Sequence, residues 1–260
     1  MRKISLLQID NLYSAKLIKL AVAEWRLRQQ STFWGFLWTL LNPALLFVVL
    51  YGLFIKWLGK FQPDYAVFLL IGIIQWNYFA SATSYGLGAM IRKSHILKNY
   101  PLRPELPVFA AVLSAAVSHL LELAALSVFL MFYTKTISLA WLALFPLELS
   151  FLALICGLAL GLSRFMVFYA DTERIWGILL TAGFFLTPVF YPLNIVAGGK
   201  HAILVLNPVA RIISAARLIM TGNGPVPAAD WLYIFSFSAA VLAAGLIFAR
   251  SDEGKVADAI

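Results

Sequence analysis

The chain has 260 residues, of which 62% are apolar and 12% charged, with a formal net charge of +8. That charged share is about half that of an ordinary soluble domain, which excludes a soluble enzyme. The basic excess gathers beside apolar runs rather than along one polar face, so it reads as orientation in a bilayer and not as a nucleic-acid surface.

Several apolar runs exceed the roughly 20 residues a helix needs to cross a hydrocarbon core. They are continuous, without the alternating segments of about 10 residues that build a barrel. An open sheet would leave backbone groups unsatisfied in lipid. The expected class is an all-α integral membrane protein.

Residues 1–32 form a cytoplasmic N-terminal segment. Its start has no short apolar core followed by a cleavage signal, so the first span itself directs insertion. From Ser14 to Gln30 the pattern is amphipathic, with Lys16, Lys19 and Arg26 on one face and Ile18, Ala21, Val22 and Trp25 on the other. That is an in-plane helix, either floating at the headgroups or forming a cuff that also touches a partner.

Six spans are expected within a transmembrane domain of residues 33–250: Phe33–Trp57, Tyr65–Met90, Pro104–Tyr133, Leu139–Tyr169, Ile175–Leu193 and Trp231–Ala249. With both termini on one side, that side receives 14 of the 20 Lys and Arg residues. The positive-inside rule therefore places the termini, and the 251–260 tail, in the cytoplasm. The segment "AILVLNPVARIISAARLIMT" (202–221) is not a seventh span. Asn207-Pro208 interrupts it, and Arg211 and Arg217 would lie where a cation costs about 2.5–3.5 kcal/mol. A re-entrant or interfacial hairpin on the outer face, between spans five and six, fits better.

Between spans two and three lies "MIRKSHILKNYPLRPELPV" (Met90–Val108). Ser94 is placed to cap a short helix. Tyr100 precedes Pro101 and is forced out of the helical region. Pro104 suits the first position of the next helix, and Glu105 suits its positive end. The product is a short, stiff cytoplasmic helix clamped by prolines, able to carry a push from a soluble partner into two spans.

Sites for covalent chemistry are not evident. The phosphate-cradling G-x-x-x-x-G-K-[ST] pattern does not occur; "AGGKH" (197–201) has neither the spacing nor the hydroxyl. Cys156 lies inside a span as a packing residue. His95, His119 and His201 are too dispersed to hold a metal. Glu122 and Glu148 lie within spans, and ionisable groups at that depth are candidates for function, including proton relay; His119 and Glu122 at i, i+3 can also satisfy each other. Phe47, Tyr51 and Phe54 share one face of span one, and span five adds Phe184, Phe185, Phe190 and Tyr191. Aromatic faces pack helices, and they can also pass sugar rings along a channel.

Four blocks, "AEWRLRQQSTFWGFLWTLLNPALL", "SHILKNYPLRPELPVFAAVLS", "YADTERIWGILLTAGFFLTPVFYPL" and "LNPVARII", resemble the ABC-2 type permeases of polysaccharide export. The likeness covers nearly the whole chain in order. Ala170 departs from it, standing where many relatives carry a basic residue before Asp171.

The resemblance implies a homodimer bound to two copies of a separate ATPase, which uses ATP and Mg, while this chain carries no cofactor. Ser94, His95, Leu97, Lys98 and Tyr100 would form the coupling helix seated in the ATPase. Asn207, Pro208 and Arg211 would belong to the outer gate, within a hairpin from Ile195 to Thr221. The substrate would be a lipid-linked glycan such as an O-antigen, capsular or teichoic acid chain, entering among membrane lipids. Alternatives are a permease for a drug or small lipid, a proton-coupled carrier using His119 and Glu122, and a scaffold for glycan assembly.

Overall fold

The computed structural model describes residues 6–28, 33–99, 103–134, 138–195 and 206–251. Every regular element among them is helical: α1 Leu6–Arg28, α2 Phe33–Leu58, α3 Tyr65–Leu87, α4 Ala89–Arg92, α5 Ser94–Asn99, α6 Glu105–Thr134, α7 Leu144–Phe168, α8 Thr172–Leu186, α9 Pro208–Thr221 and α10 Ala228–Arg250. A 3-10 turn, Leu139–Ala143, leads into α7, and its cap Ser138 accepts a hydrogen bond from Ala140 N.

Among the described residues, five helices are long and apolar enough to cross a membrane: α2, α3, α6, α10, and α7 with its leading turn. The expected fifth span is shorter than the sequence suggests. It runs from Thr172 to Leu186, 15 residues, or about 22 Å against a hydrocarbon core of about 30 Å. Its end is set by Pro188, which disfavours helix at the residue before it. Thr187 is accordingly extended, with φ −88° and ψ 139°.

α3 is the centre of the molecule. In its most apolar stretch 72% of the residues are buried, against 6% for α2, and it packs on α2, α6, α7, α8 and α9. α2 faces outward for most of its length. Its Trp38 and Trp57, both more than half exposed, are about 29 Å apart along the helix, the separation of two interfacial aromatic belts.

The most extensive pairing is between α7 and α10. It depends on backbone contact at two glycines. A Cβ on Gly157 would lie 2.7 Å from the Cα of Leu242, and one on Gly245 would lie 2.8 Å from the Cα of Gly157. Small residues that let backbones approach are the usual basis of helix association in lipid.

Two helix ends are tied down by arginine. Arg164, buried on α7, donates through Nη1 to the carbonyls of Phe248 and Ser251 at the end of α10, and its guanidinium lies 4.7 Å from the centre of the Phe248 ring. Arg250 donates to the fully buried Glu105 at 3.1 Å. α6 starts at Glu105, so Pro104 immediately precedes the helix and does not form its first position.

The α7–α10 contact gives a clear expectation. Gly157→Ala should destabilise the protein by roughly 1–3 kcal/mol through overpacking. Gly161→Ala, with nothing within 4 Å of its added Cβ, should be neutral or stabilising by up to about 1 kcal/mol. Thermal unfolding in detergent of the two variants beside the parent checks this.

Candidate functional site

The short helix expected between the second and third spans is present as α5, but its surroundings differ from expectation. Ser94 is the first helical residue, so Lys93, whose carbonyl accepts from Leu97 N at 3.0 Å, precedes the helix in the cap position. Leu97 is half-buried and packs on the core, while His95 and Lys98 are exposed. Asn99 Nδ2 lies 3.1 Å from His95 Nε2, one turn back along the exposed side. Tyr100 lies outside the described residues.

The cations just before α5 are held within the chain. Lys93 Nζ is 2.6 Å from Glu24 Oε1, and the Tyr85 hydroxyl donates to Glu24 Oε2 at 2.5 Å. Arg92 donates to the Tyr85 carbonyl at 2.6 Å and lies 4.1 Å from the centre of that ring. Glu24 is buried, which alone would raise its pKa. The hydrogen bonds from Lys93 and Tyr85 outweigh that effect and hold the carboxyl below its ordinary value. Helix α1, the end of α3 and the entry to α5 are thereby joined through one carboxylate.

This also revises the reading of α1. The face turned to the protein is Leu17, Leu20, Ala21, Glu24 and Arg28, and Ile18 and Val22 are exposed. α1 lies along α6. The expected apolar stripe missed this because the residue that anchors the helix, Glu24, is charged.

Within the spans, His119 and Glu122 do not pair with each other. His119 Nε2 lies 3.1 Å from Glu148 Oε2 on α7, and Gln75 Nε2 on α3 donates to Glu148 Oε1 at 2.6 Å. Glu122 accepts a long bond from Asn77 at 3.5 Å. His119 stacks on Tyr78 with ring centres 4.1 Å apart. Both α6 residues turn toward neighbouring helices, where acceptors and donors are nearer than along their own helix. Three spans are pinned together by this cluster. "IIQWNYF" carried the missed signal, since Gln75 and Asn77 are polar residues in an otherwise apolar run.

The two aromatic groups meet. Phe54 of α2 lies 5.3 Å from Phe190, which stacks on Phe184 at 5.8 Å and touches Phe185 and Tyr191. Phe47 stacks on Tyr51 at 5.3 Å. Phe47, Tyr51, Phe54, Phe184, Phe190 and Tyr191 pack on the core, whereas Phe185 is 60% exposed.

At the opposite end from α5, side chains satisfy the backbone freed where α8 stops. The buried Arg217 of α9 donates to the carbonyls of Phe68 at 3.1 Å, Pro188 at 2.9 Å and Val189 at 2.6 Å. The hydroxyl of Tyr65 donates to Phe190 O at 2.9 Å. Asn207 interrupts the segment as expected, non-helical between the helical residues 206 and 208, and also starts α9: its Oδ1 accepts from Val209 N and Ala210 N, Pro208 occupies the first turn, and the Asn207 Nδ2 donates to Thr187 Oγ1 at 2.9 Å. Arg211 pairs with Asp230 at 2.8 Å. Residues 196–205 of the expected hairpin lie outside the described residues. At the start of α8, Asp171 pairs with Arg174 at 3.7 Å, an exposed contact of little energetic weight.

No family model matches the chain. It is 28% identical to an O-antigen export system permease protein RfbA of Klebsiella pneumoniae, over 80% of this chain and 81% of the relative. A permease of the same name from Myxococcus xanthus is 28% identical over 80% of each chain. The polysialic acid transport protein KpsM of Escherichia coli is 25% identical over 84% of this chain and 86% of the relative.

The Glu24 cluster predicts a pH dependence. A carboxyl with a lowered folded-state pKa contributes stability that is fully present above its unfolded pKa, about 4.3, and is lost as pH falls through the folded value. Glu24→Gln should therefore cost about 2 kcal/mol at neutral pH, and the gap to the parent should close in acid. Melting curves of both proteins across pH measure this.

Proposed function

We propose that the chain, an ABC-2 type permease of the polysaccharide-export kind, is the membrane-spanning subunit of an ATP-driven exporter of a lipid-linked polysaccharide. The observation that carries this reading is its similarity, over 80–85% of its length, to permeases of O-antigen and polysialic acid export. The chain is a transport subunit; hydrolysis of ATP with Mg belongs to a separate ATPase.

In this reading there are six crossings with both termini in the cytoplasm, and α8 is a short fifth span whose crossing the Ile195–Thr221 hairpin completes on the outer side. The positive-inside distribution and the spacing of Trp38 and Trp57 support it. α1 lies along the cytoplasmic membrane surface, held to the protein through Glu24. Two copies associate with α2 and α8 facing a shared channel. These are the helices with least cover of their own, since α8 has no buried residue. Phe185 offers an aromatic surface toward that channel, backed by Phe54, Phe184, Phe190 and Tyr191. Asn207, Pro208 and Arg211 frame its outer exit.

The ATPase seats against α5. His95 and Lys98 project away from the membrane helices, and Leu97 anchors the inner side. A displacement of α5 reaches α3 through the short α4 and α1 through Lys93 and Glu24, so closure of two ATPase subunits would move the spans as a unit. Charge reversal at His95→Glu with Lys98→Glu should reduce surface glycan about tenfold or more, with membrane insertion intact and ATP hydrolysis persisting. Surface glycan and ATPase activity measured together provide the check; unchanged export would remove α5 as the contact.

A further inference from the structure

A cavity of about 380 Å³ opens between the α2–α3 turn, the bend after α8 and one face of α9, a volume typical of small-molecule sites. Gln62 and Asp64 line one wall, Ser214 and Thr221 the opposite one, and Asn223 the rim, with Arg217 at its base. This cavity belongs to neither the α5 element nor the aromatic groups.

Asp64 is the single non-glycine residue with positive φ among the described residues, at 50°. It stands in the cap position of α3, where an aspartate ordinarily accepts from the first helical N–H groups. Its carbonyl starts the helix, accepting from Phe68 N at 3.1 Å, but its side chain makes no capping bond. A left-handed conformation that forgoes the ordinary use of the carboxylate is the kind of local strain found at binding sites. Across the cavity, Asn223 sits between Gly222 and Gly224, with φ of 69° and 128°, a turn only glycines allow readily and one that fixes the amide at the rim.

Arg217 does not make this an anion site. Its Nε, Nη1 and Nη2 are each engaged with a backbone carbonyl, and Asp64 would repel an anion from the mouth. The Thr221 hydroxyl donates to Arg217 O at 2.7 Å and the Gln62 amide to Pro63 O at 3.2 Å, so what remains is chiefly the Ser214 hydroxyl, the Asn223 amide and the Asp64 carboxylate, together able both to donate and to accept. We infer that this cavity is a saccharide subsite on the outer face, binding one neutral, hydroxyl-rich sugar unit of the emerging polymer through Asp64, Asn223 and Ser214. The inference rests on the transport reading for the side of the membrane and the class of ligand.

The full-length protein in lipid nanodiscs is titrated with mannotriose, galactotriose and disialic acid, with binding followed by saturation-transfer NMR. Asn adopts the left-handed region readily, so Asp64→Asn keeps the backbone while removing the charge. Saturable binding of a neutral trisaccharide is expected, weakened about tenfold by Asp64→Asn and by Asn223→Ala. No binding of either neutral sugar, binding of disialic acid alone, or binding indifferent to both substitutions would overturn the assignment. ATP-dependent export is assayed on the same preparation with its ATPase. Export without sugar binding refutes the cavity alone, whereas sugar binding that depends on Asp64, without export, refutes the transport reading and leaves the cavity standing.

Discussion

A polar group in hydrocarbon must find its partner inside the protein, and this constraint organises every irregular feature of the molecule. Where α8 stops short, the carbonyls of Pro188 and Val189 would be left open; Arg217 reaches from α9 to accept the task. Where α10 ends, Arg164 of α7 takes the carbonyls of Phe248 and Ser251. In both places a guanidinium, with several donors in a rigid plane, replaces the water that a soluble helix end would use. The short fifth helix, the feature that most distinguishes this bundle from a simple stack of spans, is ended by Pro188, and Arg217 of α9 satisfies the carbonyls freed beyond that end.

The same requirement joins the elements through which a partner's motion would enter. Glu24 is a buried carboxylate on a surface helix, and burying a charge unpaired is costly. Lys93 and Tyr85 supply its partners, so α1 cannot separate from α3 and α5 without exposing or stranding a charge. In the spans, Gln75, His119 and Glu148 connect α3, α6 and α7 in the same manner. In the proposed reading, a push on α5 would be delivered into a set of helices already cross-linked by polar contacts.

Much of this was legible in the sequence, and what was missed has a common cause. Hydropathy located α2, α3, α6, α7 and α10 to within a few residues, because lipid imposes length and apolarity on each helix separately. Proline chemistry located α5 for the same local reason. The partner of His119 was not legible, because i, i+3 spacing describes one helix and the acceptor, Glu148, comes from another. The amphipathic pattern of residues 14–30 gives Glu24 no inward role, since periodicity treats a charge as outward-facing. Arg217 read as a cation to be kept from the membrane centre; only the position of the α8 end explains why it is buried. Asn207-Pro208 does break the helix, but that the same pair is an efficient helix start once residue 207 is extended was not drawn from the sequence.

In the proposed mechanism, movement of a glycan through this chain is driven by ATP hydrolysis in a partner acting at α5. Its most direct measurement is reconstitution of the full-length chain with its ATPase in sealed vesicles, with a fluorescent lipid-linked glycan in the outer leaflet and the ATPase facing outward. Glycan should become inaccessible to an external glycosidase only when ATP, Mg and both proteins are present. Transport that proceeds without ATP under an imposed pH gradient, and ceases in His119→Ala with Glu148→Gln, would contradict the account and replace it with a proton-coupled carrier.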